Sequence, residues 1–116
     1  MIFVSYSWRD AGLVQPLVRE LQDNGLNIWV DFRNLDLTQD LQSQLKTALF
    51  MCQAVVLFES RHAYRSQWVQ YERQVAYAYR KRCLTVAVSE VDSPNKGMQA
   101  TAYSLRSCLA PASSGA

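Results

Sequence analysis

Short apolar runs alternate with longer stretches of helical periodicity, and this alternation is what most constrains the fold. The runs are rich in β-branched and aromatic residues and predict strands at 2–6, 27–30, 54–58 and 83–88. Apolar residues at helical spacing predict helices from about residues 13, 41 and 67, and Asn24-Gly25 is predicted to end the first of them. Strands that alternate with helices form parallel βαβ units with right-handed crossovers. The sequence therefore predicts an α/β fold, an open parallel sheet of flavodoxin-like type with helices on both faces.

Composition and charge exclude several classes of protein. The chain has 116 residues, of which 49% are hydrophobic, enough for one domain with its own core. A net charge of +2, with basic residues spread along the chain, predicts no nucleic-acid partner. No apolar run approaches the roughly 20 residues that cross a bilayer, so no membrane association is expected. Three cysteines without C-x-x-C spacing indicate reduced thiols, and a cytoplasmic domain is expected.

The helix that follows Ser66 carries one acid in an unusual place. Ser66 is a good N-cap residue, and an apolar stripe follows through Trp68, Tyr71 and Tyr79. Glu72 lies one turn after Trp68, inside this stripe and away from the solvated face. A buried carboxylate needs a partner, a wet cleft or a chemical role. On the helix alone, a structural bridge to an arginine, a serine or a backbone amide is the commoner arrangement.

The predicted topology brings this helix close to other polar segments. Ligand sites of open parallel sheets lie beyond the carboxyl ends of the strands. Here those ends are followed by residues 6–9, by the polar stretch 31–39 and by residues 59–65, all read as loops. Asp10 is expected to cap the first helix. Glu72, in the first two turns of its helix, is expected at the same rim.

Other chemistries find no support in the sequence. His62 is the one histidine and lacks further ligands at metal spacing, so no metal site is predicted. There is no G-x-S-x-G elbow for a hydrolase triad and no glycine-rich phosphate loop after the first strand. The first strand is also followed by no acidic cluster of the kind a phospho-receiver needs.

Several blocks then occur in a familiar order. They are Phe3-Val4-Ser5-Tyr6-Ser7 with Asp10, Gly25-x-x-Ile28-Trp29-Val30-Asp31, Leu35, Ala54-Val55-Val56-Leu57, Ser60, and Ser66-x-Trp68-x-x-x-Glu72. Together they resemble a TIR (Toll/interleukin-1 receptor) domain of the bacterial, NAD-cleaving type. The resemblance implies a TIR domain at residues 1–92, followed at 93–116 by an atypical segment with one weak helix and a flexible tail.

The resemblance also implies roles for individual residues. Glu72 matches the catalytic glutamate of an NAD+ nucleosidase, with NAD+ as substrate and no cofactor. The positions that match the family's substrate-binding residues are Tyr6, Ser7, Trp8, Arg9, Asp31, Leu35 and Trp68. The loop after the second strand resembles the family's BB loop, which takes part in self-association with other TIR domains. Its residues are Arg33, Asn34, Asp36, Leu37 and Thr38.

The sequence departs from the family pattern in two places. Thr38 and Leu41 stand where the loop usually has a glycine and an aromatic residue, and a threonine restricts a backbone with positive φ. The segment from Pro94 does not resemble the usual last strand and helix, so the sheet is expected to lack them.

Three functions are compatible with these observations. The first is an NAD+ nucleosidase of signalling or defence, which releases nicotinamide and leaves ADP-ribose or a cyclic form. The second is a non-catalytic adaptor or scaffold that acts through TIR–TIR contacts. The third is an enzyme similar to nucleoside deoxyribosyltransferases, which also depend on an acid. The pairing of Glu72 with Trp68 favours an enzyme over an adaptor, and the blocks around Ser5 and Trp29 favour a TIR domain over the transferase.

Overall fold

The computed structural model describes residues 1–91 and Leu105, apart from the side chains of Phe32, Arg33 and Glu90. Its strands are β1 (Ile2–Ser5), β2 (Ile28–Trp29), β3 (Ala54–Glu59) and β4 (Arg82–Ala87). Its helices are α1 (Ala11–Asp23), α2 (Asp31–Asn34), α3 (Leu41–Met51), α4 (Arg61–Arg65), α5 (Gln67–Ala78) and α6 (Val88–Val91), and a 3-10 turn at Trp8–Asp10 precedes α1. The weak helix and tail predicted for 93–116 lie outside the described residues, except for Leu105, which is buried.

The strands form one parallel sheet in the order β2-β1-β3-β4. This order confirms the predicted α/β fold of flavodoxin-like type. β1 lies in the middle, with Phe3 paired to Trp29 on one side and to Val55 on the other. The chain order reverses at β1, because β2 lies on one side of it and β3 on the other. In open α/β sheets a ligand binds at such a switch point.

Hydrophobic residues fill both faces of the sheet, as expected of strands without polar alternation. One core cluster joins Ile2 and Val4 to α1 and α6, and the other joins Phe3 to α3 and α5. Successive side chains of a strand point to opposite faces. Ser5 therefore points to the same face as Phe3, toward α3 and α5. This parity decides which helix Ser5 can contact.

The predicted helix termini are largely confirmed. Ser66 caps α5, because its hydroxyl oxygen accepts a hydrogen bond from the backbone N–H of Val69 at 3.2 Å. α1 ends at Asp23, and Gly25 follows with a φ of 90°, the left-handed conformation that stops a helix. Trp29 stacks on Phe3 at 4.9 Å between ring centroids.

Two stretches predicted as loops contain short helices. Asp31–Asn34 forms α2. The side-chain oxygen of Asn34 accepts a hydrogen bond from the N–H of Val30 at 3.0 Å and closes this turn. Arg61–Arg65 forms α4, which Ser60 caps by accepting from the N–H of Ala63 at 2.9 Å. Each is too short for a periodic pattern, so the hydrophobic spacing could not reveal it.

The start of α1 also differs from the prediction. The helix begins at Ala11 and not near residue 13, so Pro16 lies inside it. Proline has no backbone N–H, so the carbonyl of Gly12 lacks its helical hydrogen bond. Gly12 is exposed, and water can bind this carbonyl instead. Asp10 makes no capping hydrogen bond. Its carboxylate instead accepts a hydrogen bond from the Ser60 hydroxyl.

No helix in the described part of the chain is long and apolar enough to span a membrane.

Lys81 ties the end of α3 to the start of β4. Its Nζ donates to the backbone oxygens of Phe50 at 2.7 Å and Cys52 at 2.9 Å. These are terminal carbonyls that the helix cannot satisfy itself, and a cation is favourable there. The residue before it, Arg80, has a φ of 55°, which turns the chain from α5 toward the strand.

We predict that Lys81→Met lowers the free energy of unfolding by about 1–2 kcal/mol, because two charge-assisted hydrogen bonds are lost. Urea denaturation followed by circular dichroism measures the change. The control is Lys46→Met, which removes an exposed lysine from α3 and is expected to change stability by less than about 0.5 kcal/mol. Equal effects of the two substitutions would show that Lys81 does not stabilise this junction.

Candidate active site

A cleft of about 670 Å³ opens at the carboxyl ends of β1, β2 and β3. Such a volume is typical of pockets that hold small molecules and cofactors. The cleft is lined by Ser7, Trp8, Arg9, Asp31, Leu35, Leu37, Leu41, His62, Arg65, Ser66 and Trp68. These residues come from the 3-10 turn, the segment after β2, α4 and the start of α5. The position agrees with the switch point between β1 and β3.

All residues predicted to bind substrate line this cleft except Tyr6. Tyr6 follows Val4 in the alternation of β1, so its ring enters the core beside α1, where it is 2% exposed. Gln15 donates to its hydroxyl oxygen at 3.4 Å. Burial raises the pKa of Tyr6, and the negative charges of Asp31 and Glu72 raise it further, against the opposing effect of Gln15. Tyr6 therefore belongs to the support behind the cleft.

Trp68 and Asp31 are joined across the cleft by a hydrogen bond. The indole Nε1 donates to Asp31 Oδ2 at 2.9 Å, which links the start of α5 to the start of α2. Asp31 is only 5% exposed, and burial raises its pKa, while interaction with the indoles of Trp68 and Trp8 opposes the rise. Among the described residues its Oδ1 has no hydrogen-bond partner.

Glu72 does not line the cleft and is buried behind the residues that form its wall. Its side chain is 1% exposed, and Ser5 Oγ donates to Oε1 at 2.9 Å. Its other oxygen, Oε2, has no partner in the part of the chain that the structure describes. Burial raises the pKa of Glu72 well above its ordinary value, and the nearby charge of Asp31 raises it further. Ser5 and Arg73 oppose the rise.

One neighbour of Glu72 is a cation, and one residue of its predicted apolar stripe lies elsewhere. Arg73 is the cation whose charge opposes the raised pKa of Glu72. Its side chain is 12% exposed, and its Nη1 lies 2.9 Å from Glu59 Oε1. Tyr79, expected beside Glu72, packs edge-on against Phe50 at 5.9 Å between centroids.

The segment after α2 is held by polar contacts to itself and to α3. Asp36 Oδ1 accepts from the N–H of Thr38 at 3.0 Å and from its hydroxyl at 2.7 Å. Gln44 Oε1 accepts a hydrogen bond from the N–H of Asp36 at 2.8 Å, and Gln44 Nε2 donates one to the Asp36 carbonyl at 2.6 Å. Within the described residues Arg80 is the non-glycine residue with positive φ, so Thr38 is accommodated without the strain that a missing glycine suggested. Leu37 is 74% exposed at the mouth of the cleft.

Some residues of the cleft were not predicted to belong to the site. Leu41, His62, Arg65 and Ser66 line the cleft without having been predicted to bind substrate. His62 and Arg65 were assigned to a loop, and the signal that could have placed them is the pair of serines, Ser60 and Ser66, which cap α4 and α5. Among the described residues no group of three or more His, Cys, Asp or Glu side chains is arranged to hold a metal ion.

The family model for the TIR domain matches residues 2–108. The chain belongs to the TIR domain family.

Solved structures agree with this assignment. Fourteen chains match, among them the TIR domains in a structure of the activated Roq1 resistosome directly recognising the pathogen effector XopQ. The TM-score is 0.67 at 16% sequence identity, over 93% of this chain and 70% of that one. At such low identity the likeness shows a shared TIR fold. No curated protein matches the sequence.

We predict that Glu72→Gln changes the pH dependence of stability of this TIR domain. The folded pKa of Glu72 is raised above the ordinary 4.5, so the wild type is favoured below that pH and loses stability as pH rises toward the folded value. Gln keeps the shape without ionising, so its stability relative to wild type should grow by about 1 kcal/mol per pH unit in that window.

Urea denaturation between pH 4 and 8 measures this difference (roughly the range that spans ordinary and raised carboxyl pKa values). Asp23→Asn, which removes an exposed carboxyl group at the end of α1, is the control. A constant difference between Glu72→Gln and the wild type at every pH would contradict the raised pKa.

Proposed function

We propose that this TIR domain is an NAD+ nucleosidase. It breaks the bond between nicotinamide and ribose, and gives nicotinamide with ADP-ribose or a cyclic ADP-ribose, in cytoplasmic signalling or defence. The observation that carries the proposal is a pair of buried carboxyl groups: Asp31, which lines the cleft and accepts a hydrogen bond from Trp68, and Glu72, which lies behind the cleft wall within the influence of the Asp31 charge. An acid of strongly raised pKa beside a cleft is a candidate functional group.

The reaction needs a carboxylate near the ribose and a surface for the departing nicotinamide ring. Nicotinamide in NAD+ is cationic and departs as a neutral base, so no general acid is needed. As the bond to nicotinamide breaks, the ribose develops oxocarbenium character, as in glycoside cleavage. Water then attacks the anomeric carbon and releases a proton to give ADP-ribose, or a nitrogen of the adenine ring attacks it to give the cyclic form. An ionised carboxylate aimed at the ribose stabilises that positive charge, and does so more strongly where water is excluded. The indoles of Trp8 and Trp68, which line the cleft, offer flat surfaces for the departing ring.

Substrate binding also favours the reactive form of Glu72. Its raised pKa means that the free protein holds a proton on this group more readily than an exposed glutamate would. The positive charge of the nicotinamide ring, when it lies nearby, favours the ionised form and lowers the pKa. Because Glu72 is 1% exposed, its carboxylate reaches a ligand only after the cleft wall rearranges. The Trp68–Asp31 hydrogen bond holds that wall in the free state.

A second function is favoured by the same burial. Glu72 does not line the cleft, and its hydrogen bond to Ser5 gives it a structural role. Leu37, 74% exposed, lies in the loop whose Arg33, Asn34, Asp36, Leu37 and Thr38 were predicted to mediate self-association. A non-catalytic TIR–TIR adaptor would use this loop and leave the cleft empty. The match to the TIR family disfavours the transferase alternative.

We predict that purified protein at high concentration releases nicotinamide from NAD+, and that Glu72→Gln reduces the rate by about a hundredfold or more, since the charge that stabilises the transition state is removed. Liquid chromatography of nicotinamide measures the release. Asp23→Asn is the control and should retain the wild-type rate. Circular dichroism establishes that each variant is folded.

Two outcomes contradict the proposal in different ways. Equal release by wild type and Glu72→Gln removes Glu72 from the mechanism. No release by the wild type, even with a crowding agent that promotes association, favours the adaptor, and sedimentation velocity then tests whether the domain self-associates.

A further inference from the structure

Basic side chains from two separate segments line the cleft. Arg9 comes from the 3-10 turn after β1, and His62 and Arg65 come from α4. All three are exposed to solvent in the cleft. Asp31 is the carboxylate among the lining residues, and it already accepts a hydrogen bond from Trp68. The cleft therefore carries an excess of positive charge.

This charge is not neutralised by neighbouring acids. The ion pair found among the described residues joins Arg73 to Glu59, outside the cleft lining. Within that part of the chain, Arg9 and Arg65 are paired with no carboxylate. Both guanidinium groups stay charged and present several N–H donors. Donors that are unpaired in a cleft and carry permanent charge favour an anionic ligand.

The helix that carries two of these side chains is fixed at both ends. α4 has five residues and would not be stable alone. At its start, Ser60 accepts from the N–H of Ala63 and donates to Asp10. At its end, Gln70 of α5 donates to the carbonyls of Ala63 at 3.2 Å and Tyr64 at 3.3 Å. His62 and Arg65 are three residues apart, which places them on neighbouring positions of the helix surface.

We propose that Arg65 and His62, together with Arg9, form an anion subsite that holds the diphosphate of a dinucleotide substrate. The identity of the substrate rests on the proposed NAD+ nucleosidase function. Guanidinium groups bind phosphate oxygens through paired, charge-assisted hydrogen bonds. The imidazole of His62 adds a further donor. The clamped helix keeps these donors in place before the ligand arrives, which lowers the cost of binding.

The test compares two arginines of the same short helix. Arg65 lines the cleft, whereas Arg61, also exposed, does not. Isothermal titration calorimetry of the full chain with ADP-ribose should show a Kd about tenfold higher for Arg65→Gln and unchanged for Arg61→Gln. Adenosine, which lacks phosphate, should bind both variants alike. In the nicotinamide-release assay, Arg65→Gln should raise the KM for NAD+ with little change in kcat, and should not affect nicotinamide riboside.

The outcomes separate this subsite from the proposed reaction. ADP-ribose binding that depends on Arg65 but not on Arg61 supports the subsite, even if the wild type does not cleave NAD+. Equal binding of ADP-ribose by Arg65→Gln and Arg61→Gln overturns it, even if NAD+ is cleaved. Absence of ADP-ribose binding by the wild type also overturns it.

Discussion

The hydrogen bond between Ser5 and Glu72 joins the central strand of the sheet to the helix that borders the cleft. The two residues are 67 positions apart in sequence. Their contact follows from the alternation of β1, which points Ser5 toward α5, and from the helical spacing that puts Glu72 one turn after Trp68. A buried carboxyl group is costly unless it is hydrogen-bonded, and Ser5 satisfies only one of its two oxygens. The buried, incompletely hydrogen-bonded carboxyl group of Glu72 therefore lies beside the cleft that the sheet topology creates.

Asp31 makes ionisation of the buried Glu72 more costly. It is a second buried acid close enough for its charge to raise the pKa of Glu72, and it is held by the Trp68 indole. Two such groups at one site oppose folding at neutral pH, because like charges in a poorly solvated place cannot both ionise easily. Residues that conflict with stability in this way are concentrated at functional sites. The TIR fold supplies the position, and the acids supply the chemistry that we propose for it.

The sequence was sufficient for the sheet, the main helices and the caps at Ser66 and Gly25, because these follow from local periodicity and local turn chemistry. It also led to most of the cleft lining, through the resemblance to TIR domains. Hydrophobic periodicity could not reveal α2 or α4, since one or two helical turns leave no periodic pattern. The hydrogen bond from Ser60 to Asp10 spans 50 positions, so Asp10 was expected to act as a local cap instead. For the same reason the burial of Glu72 behind the cleft, rather than at its rim, required the three-dimensional structure.

Glu72 is a buried acid whose protonation is controlled by its surroundings. A pH titration of the side-chain carboxyl carbons by NMR in glutamate-labelled protein, with the Glu72 signal assigned from Glu72→Gln, measures this directly. We expect Glu72 to titrate well above its ordinary pKa of 4.5 in the free protein. Titration of Glu72 at the ordinary value would show that the carboxyl group is solvated, and would rule out the buried, protonated acid described here.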